Sequence, residues 1–312
     1  MHDLSQLKEL VAPIANDLTS GAAEIALRAI TVYQTMLNAK DDISPDELRA
    51  RLTITARALM DAQPAMAPLF HLGNTVLFAI KDAGTVADIH QQCNDALARF
   101  EKQLCDSAAV IADLVYDLIP AGELVFAYSF SSTVVTALLN ARARGKYFRV
   151  ACTESRPSLE GRKLASTLAS GGIEIIHTFD TALGLVLPNC RAAFMGCDCV
   201  ALPGVVNKVG SWLLAVACRD LGVPVYALSG TEKFVTDERL FEFERHERPG
   251  EEVWEQAVGG VRVLNRQFEI VPFSLLAGMV TEEGILQEKD IERFVSQLDV
   301  HEALRLEGSS FA

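Results

Sequence analysis

From residue 124 onward the chain alternates short, nearly unbroken apolar runs with stretches of helical period. The runs are Leu124–Tyr128, Phe148–Cys152, Ile173–His177, Ala192–Met195 and Val223–Ala227. Helices are expected over Thr133–Arg144, Arg162–Ala169 and Ser211–Asp220. Apolar strands separated by helices demand a parallel sheet, because parallel neighbours need crossover connections and bury both faces. Right-handed crossovers then give a Rossmann-like, doubly wound sheet. No GxGxxG follows the first run, which argues against a nicotinamide or flavin dinucleotide. A last strand is expected over Phe268–Phe273, and an acidic helix over Gln287–Leu298.

The part before residue 121 has a different texture. Ile25, Ala29, Ile30, Tyr33 and Leu37 recur at nearly helical period. Ser44-Pro45-Asp46-Glu47 is a helix start: Ser44 caps, Pro45 suits the first turn and Glu47 completes a capping box. Leu48, Leu52, Ala56 and Leu59 follow on one face. Pro64 and Pro68 punctuate the chain, a helix is expected through Asn74–Ile80, and a longer one over Thr85–Leu118. The fold class is therefore α/β. A helical N-terminal domain is expected over residues 1–120 and a Rossmann-like ligand-binding domain over 121–312.

The 28 basic and 41 acidic residues leave a net charge of −13. That excess disfavours a nucleic-acid face, which needs clustered Lys and Arg. It leaves room for an anionic small molecule held by a few local donors. The seven cysteines are odd in number and lack zinc-finger spacing. The opening MHDLSQLKEL has no apolar leader core, and no apolar run reaches membrane-spanning length. A cytoplasmic protein with reduced thiols and no membrane partner is expected. The charged stretch 238–255 reads as a surface loop, either a lid or a partner surface.

Ligands of open α/β sheets bind beyond the carboxyl ends of the strands. The residues just past each run therefore form the candidate site. Ser129, Ser131 and Ser132 follow the first run. Glu154, Arg156, Glu160, Gly161 and Arg162 follow the second. Cys197, Asp198 and Cys199, then Asn207 and Lys208, follow the fourth. Lys233 follows the fifth. Hydroxyls and helix N-termini suit phosphate, Arg156 and Lys208 supply fixed charge, and carboxylates suit proton transfer. These residues point to a phosphorylated polar metabolite.

At the same positions the sequence resembles a known superfamily. The carrying blocks are Thr153-Glu-Ser-Arg-Pro-Ser-Leu-Glu-Gly-Arg162, Gly196-Cys-Asp-Cys-Val200 and Gly204-Val-Val-Asn-Lys-Val-Gly210. Gly21–Ile25, Val271-Pro272 and Thr281–Gly284 add to them, so the likeness spans nearly the whole chain. The superfamily includes the regulatory subunits of eukaryotic initiation factor 2B, methylthioribose-1-phosphate isomerase and ribose-1,5-bisphosphate isomerase. The resemblance implies a helical lobe followed by a Rossmann-like lobe. For the isomerases it implies conversion of an aldose 1-phosphate into a ketose 1-phosphate by a cysteine and an aspartate. The aspartate matches Asp198, whereas Ser129 stands where the isomerases have the cysteine. The Tyr-Ser pattern there looks more like the initiation-factor subunits.

Two readings follow from the resemblance. In the first, the protein is an isomerase acting on ribose 1,5-bisphosphate or another pentose 1-phosphate, with Asp198 and Ser129 catalytic. Ser131, Ser132, Glu154, Arg156, Gly161, Arg162, Asn207, Lys208 and Lys233 would surround the substrate, and no metal or organic cofactor is called for. In the second, the same pocket senses a sugar phosphate or nucleotide without turnover. A homodimer or higher homo-oligomer is implied in either. Gly161, Gly204 and Gly210 are also expected as turn or close-approach glycines. Cys197 and Cys199 read as buried small apolar residues, and His177 as a strand-end histidine.

Overall fold

The computed structural model describes residues 2–17, 20–39, 43–64, 66–236 and 247–305. It divides into two compact units, Met1–Cys105 with Leu298–Ala312, and Asp106–Gln297.

The first unit is helical. It holds α1 (His2–Ala15), α2 (Ala22–Leu37), α3 (Pro45–Ala62), α4 (Ala67–Ile80) and the start of α5 (Val86–Leu118). The capping box at the head of α3 is present. The Ser44 amide donates to Glu47 Oε2 at 2.8 Å, and the Glu47 amide to Ser44 Oγ at 3.3 Å. Thr85 and Asp88 make the same reciprocal pair ahead of α5. The apolar faces of α2 and α3 meet in a core containing Ile25, Tyr33, Leu48, Leu52 and Leu59. Helix α1 goes beyond the sequence reading, which saw its first clear period only after Ser20.

The end of the described chain returns to this helical unit. Asn74 Nδ2 donates to the Asp299 carbonyl at 2.8 Å, and the His301 amide donates back to Asn74 Oδ1 at 2.8 Å. Arg57 Nε reaches the Ala303 carbonyl at 3.0 Å. Leu304 is buried over Gly73, where a Cβ would meet its Cδ1 at 3.6 Å. The boundary between the two units falls inside α5, and the tail after Leu298 joins the helices through these hydrogen bonds and the buried Leu304.

The second unit carries a seven-stranded sheet ordered β10-β9-β7-β4-β1-β2-β3. Its strands are β1 (Leu124–Tyr128), β2 (Arg149–Thr153), β3 (Glu174–Thr178), β4 (Cys190–Met195), β7 (Val225–Leu228), β9 (Gly278–Thr281) and β10 (Gly284–Leu286). All neighbours are parallel except β9 and β10. Helices α6 (Ser132–Ala143), α7 (Glu160–Ser170), the short α8 (Leu183–Val186) and α9 (Ser211–Leu221) fill the crossovers, and α10 (Glu288–Ser296) follows the sheet. Every residue of β1 is buried, as a central strand covered on both faces requires. Val125, Leu138, Phe148, Leu164 and Phe194 anchor the core.

A second, antiparallel sheet has the order β5-β6-β8. It joins β5 (Cys199–Ala201), β6 (Gly204–Lys208) and β8 (Phe268–Val271). One expectation changes here. The stretch after the fourth apolar run forms a hairpin with Leu202-Pro203 at its turn. The run at Phe268 pairs with this hairpin instead of closing the main sheet. Gly204 has φ +151° and approaches Val271 so closely that a Cβ would lie 2.3 Å from its carbonyl oxygen. Backbone contact, not side-chain pattern, fixes that pairing.

Leu304→Ala is expected to lower the stability of the helical unit by about 3 kcal/mol. Denaturant unfolding checks this, and a change below about 0.5 kcal/mol would show that the tail does not contribute to its core.

Candidate functional site

The main sheet reverses its winding between β1 and β4. The chain proceeds from β1 to β2 and β3 on one side, then from β4 to β7 and β9 on the other. A crevice opens at such a switch point beyond the strand ends. Tyr128 and Met195 are paired in register there, so Ser129 and Gly196 are the next residues on adjacent strands. Ser131 caps α6, accepting from the Val134 amide at 3.4 Å, and Ser132 begins that helix. Gly196 passes so near this cap that a Cβ would lie 2.5 Å from that of Ser131.

Backbone strain marks the same edge. Among the described residues, the non-glycine residues with positive φ are Ser129 at +58°, Ser155 at +58° and Leu159 at +59°. Left-handed conformations of such residues cost free energy and gather at functional sites. Gly161 lets the start of α7 ride against the end of β2, since a Cβ there would lie 1.7 Å from the Thr153 carbonyl oxygen.

A charged cluster fills the crevice. Ser129 Oγ donates to Glu160 Oε2 at 2.6 Å. Lys208 Nζ lies 3.4 Å from Glu160 Oε1, donates to Ser158 Oγ at 2.5 Å and also donates to Gln267 Oε1. Lysine has three N–H donors, so the buried ammonium is fully satisfied within the protein. Burial pushes its pKa down, opposed by Glu160. Lys233, also buried, donates to the Cys197 carbonyl at 2.7 Å.

Asp198 is partly exposed, and no hydrogen bond to its carboxylate is present among the described residues. The residue keeps some exposure, but its carboxyl group is desolvated, which raises its pKa from the ordinary 3.8 to about 6. Lys233 and Lys208 pull it down, and Glu160 pushes it up. Glu232 is likewise raised by burial, and its Oε2 has no partner among the described residues. Burial takes the Cys197 thiol up to about 12 and Cys199 well above its usual range, so neither ionises near neutral pH. Cys152 Sγ lies 3.4 Å from His177 Nδ1, and burial pushes that thiol to about 12 as well.

Several other residues named from sequence are engaged within the protein. Asn207 Nδ2 donates to Ser211 Oγ at 2.8 Å, which ties β6 to the start of α9. Glu154 and Arg162 pair with one another. Asp180 accepts from the Ser155 and Arg156 amides, both at 2.8 Å. The Arg156 guanidinium makes no ion pair among the described residues and reaches the Val253 carbonyl at 3.4 Å. The N-terminus of α9 is taken by Glu269 Oε1, which accepts from the Gly210 and Trp212 amides at 2.7 Å each. That helix end therefore offers no open anion site.

The sequence reading places Glu160 on this edge without giving it a role, and misses Ser158 and Gln267. Ser158 lies inside the block Thr153–Arg162, two residues before that acid at a helix start. Gln267 lies 59 residues from Lys208 and had no local signal. Of the charged stretch 238–255, residues 238–246 lie outside the described part. The remainder is tied to the site. Gln267 Nε2 donates to Asn265 Oδ1 at 2.7 Å, and Asn265 Nδ2 to Glu252 Oε2 at 2.9 Å. Glu252 pairs in turn with Arg248. Among the described residues no group of three or more His, Cys, Asp or Glu is placed to hold a metal ion, and no helix is long and apolar enough to cross a membrane.

A family model described as the initiation factor 2 subunit family matches residues 18–288. The chain belongs to this family. It is 31% identical to a translation initiation factor eIF-2B subunit 2-like protein of Pyrococcus furiosus, over 89% of this chain and 95% of that one. It is 23% identical to a ribose 1,5-bisphosphate isomerase of Methanocaldococcus jannaschii, over 92% of this chain and 93% of that one. The solved translation initiation factor eIF-2B of Pyrococcus horikoshii OT3 superposes with a TM-score of 0.77 at 26% identity, covering 92% of this chain and 98% of that one. The expected fold of helical region and mostly parallel sheet is the fold of these relatives.

The raised pKa of Asp198 has a consequence for stability. Between its ordinary value of 3.8 and about 6, the folded state holds a proton that the unfolded chain releases. Stability therefore falls as pH rises through that window. Asp198→Asn removes this cost and is expected to stabilise the protein at pH 7 by on the order of 2 kcal/mol, with no gain at pH 3.5. Thermal unfolding at the two pH values checks this.

Proposed function

We propose that the protein isomerises a phosphorylated sugar, converting an aldose 1-phosphate of the ribose 1,5-bisphosphate type into the ketose 1-phosphate. The observation that carries this reading is Asp198, a carboxyl with its pKa raised to about 6, beyond β4 at the switch point and flanked electrostatically by two buried lysines. A general acid works best with a pKa near the working pH. The names borne by relatives over nearly the whole chain support the substrate class.

The reaction moves one carbon-bound hydrogen from C2 to C1 and one proton from the 2-hydroxyl to the ring oxygen. The bond between C1 and the ring oxygen breaks, and its electron pair stays on that oxygen. Asp198 in its acid form donates the proton there. Lys233, whose ammonium has one acceptor among the described residues, and the Arg156 guanidinium supply charge for phosphate. Lys208 and Asn207 are engaged within the protein and hold the segments around the site together. A homo-oligomer as the working unit rests on family membership.

A regulatory reading has its own support: Ser129 stands where the isomerases carry a thiol, and the relative at 31% identity is named for an initiation factor subunit. In that reading the pocket binds the sugar phosphate without chemistry.

Incubation with ribose 1,5-bisphosphate, followed by NMR, separates the two. Ketose is expected from the wild type, and Asp198→Asn is expected to lower kcat at least about 100-fold. Because the acid form donates, kcat should fall as pH rises above about 6. Ligand line-broadening without ketose would establish the regulatory reading.

A further inference from the structure

The isomerase reading leaves one proton without a destination. Asp198 delivers a proton to the ring oxygen, and the 2-hydroxyl must lose one as C2 becomes a carbonyl. An isolated serine hydroxyl is far too weak a base for this. Ser129 is not isolated. Its Oγ donates to Glu160 Oε2 at 2.6 Å, so its lone pairs remain available to accept from a ligand hydroxyl. The other carboxylate oxygen of Glu160 lies 3.4 Å from Lys208 Nζ. The left-handed backbone at Ser129, φ +58°, fixes where this hydroxyl is held. Glu160 opens α7, and Gly161 presses that helix start against the end of β2. Serine, carboxylate and ammonium thus form one chain of contacts from three different segments.

Resting on the isomerase reading above, we propose that Glu160 accepts, through the Ser129 hydroxyl, the proton released from the 2-hydroxyl of the sugar. The step balances. The 2-hydroxyl proton passes to Ser129 Oγ as the Ser129 proton passes to Glu160 Oε2. An oxygen lone pair closes the C2 carbonyl. The hydrogen on C2 moves with its electron pair to C1, which the departing ring oxygen has left electron-poor. Asp198 ends as carboxylate and Glu160 as carboxylic acid, and exchange with water resets both. Glu160 is a positioning and proton-accepting residue that acts through Ser129. The pair replaces a thiol, which can lose its proton near neutral pH without a neighbouring carboxylate.

That replacement gives the test. Turnover of ribose 1,5-bisphosphate is followed by NMR for wild type, Glu160→Gln, Ser129→Ala, Ser129→Cys and two double variants, Ser129→Ala/Glu160→Gln and Ser129→Cys/Glu160→Gln. Glu160→Gln should lower kcat about 100-fold, with KM changed less than about threefold. Ser129→Ala should lose a similar factor, and its combination with Glu160→Gln should add little, as expected of groups acting as a unit. Ser129→Cys should restore at least about tenfold of the activity lost in Glu160→Gln, because the thiol works without the carboxylate. A merely structural glutamate would not be rescued this way. Glu160→Gln within about threefold of wild type, or no rescue by the thiol, would overturn the assignment of Glu160 alone. If Glu160→Gln does not fold, Ser129→Ala decides by itself, and unchanged turnover overturns the assignment. A wild type that binds the sugar and yields no ketose overturns the isomerase reading and this assignment with it.

Discussion

A buried lysine cannot remain an ammonium without partners, and Lys208 is the point on which the site is built. Its three donors meet three acceptors, the Ser158 hydroxyl, the Gln267 amide oxygen and the Glu160 carboxylate. Each acceptor belongs to a different segment. Ser158 lies in the strained loop after β2, Glu160 opens α7 and Gln267 precedes β8. Desolvating a charge costs several kcal/mol unless such contacts compensate it. The small antiparallel sheet carries the lysine inward, and the loops must close around it. The polar chain onward through Asn265 to Glu252 extends the same demand to the stretch after residue 247.

The same arrangement makes two carboxyl groups unequal. Glu160 receives the Ser129 hydroxyl and the Lys208 ammonium. Among the described residues Asp198 receives no side-chain donor, and desolvation shifts it toward its acid form, with Glu160 adding to the shift. Paired carboxyls in unlike surroundings are the usual way one pocket holds both a proton donor and a proton acceptor near neutral pH. The switch point of the sheet brings them together, because β1 and β4 end side by side while their following segments turn to opposite sides.

Much of this was legible in the sequence, for physical reasons. Central strands read as apolar runs because both faces are covered, so β1, β2 and β4 were found close to their true bounds. The Ser44–Glu47 cap was found because capping is local. Placing Asp198, Ser129 and Lys208 on one edge needed only the rule that ligands sit past strand ends. Features built from distant backbone contact were not legible. The β5–β6 hairpin is not legible in the sequence, because its partner β8 begins at Phe268, far along the chain from the end of β6 at Lys208. β9 and β10 were too short to show a period. The engagement of Glu154 with Arg162 and of Glu269 with the start of α9 likewise depends on geometry that spacing does not encode.

The most direct measurement is the titration of Asp198 itself. Carbon-13 NMR of the protein labelled at aspartate side-chain carboxyls, assigned by the signal lost in Asp198→Asn, reads its protonation against pH. A midpoint near 6 is predicted. A midpoint at the ordinary 3.8 would mean that Asp198 is a solvated carboxylate, and the account of a poised acid at the switch point would not stand.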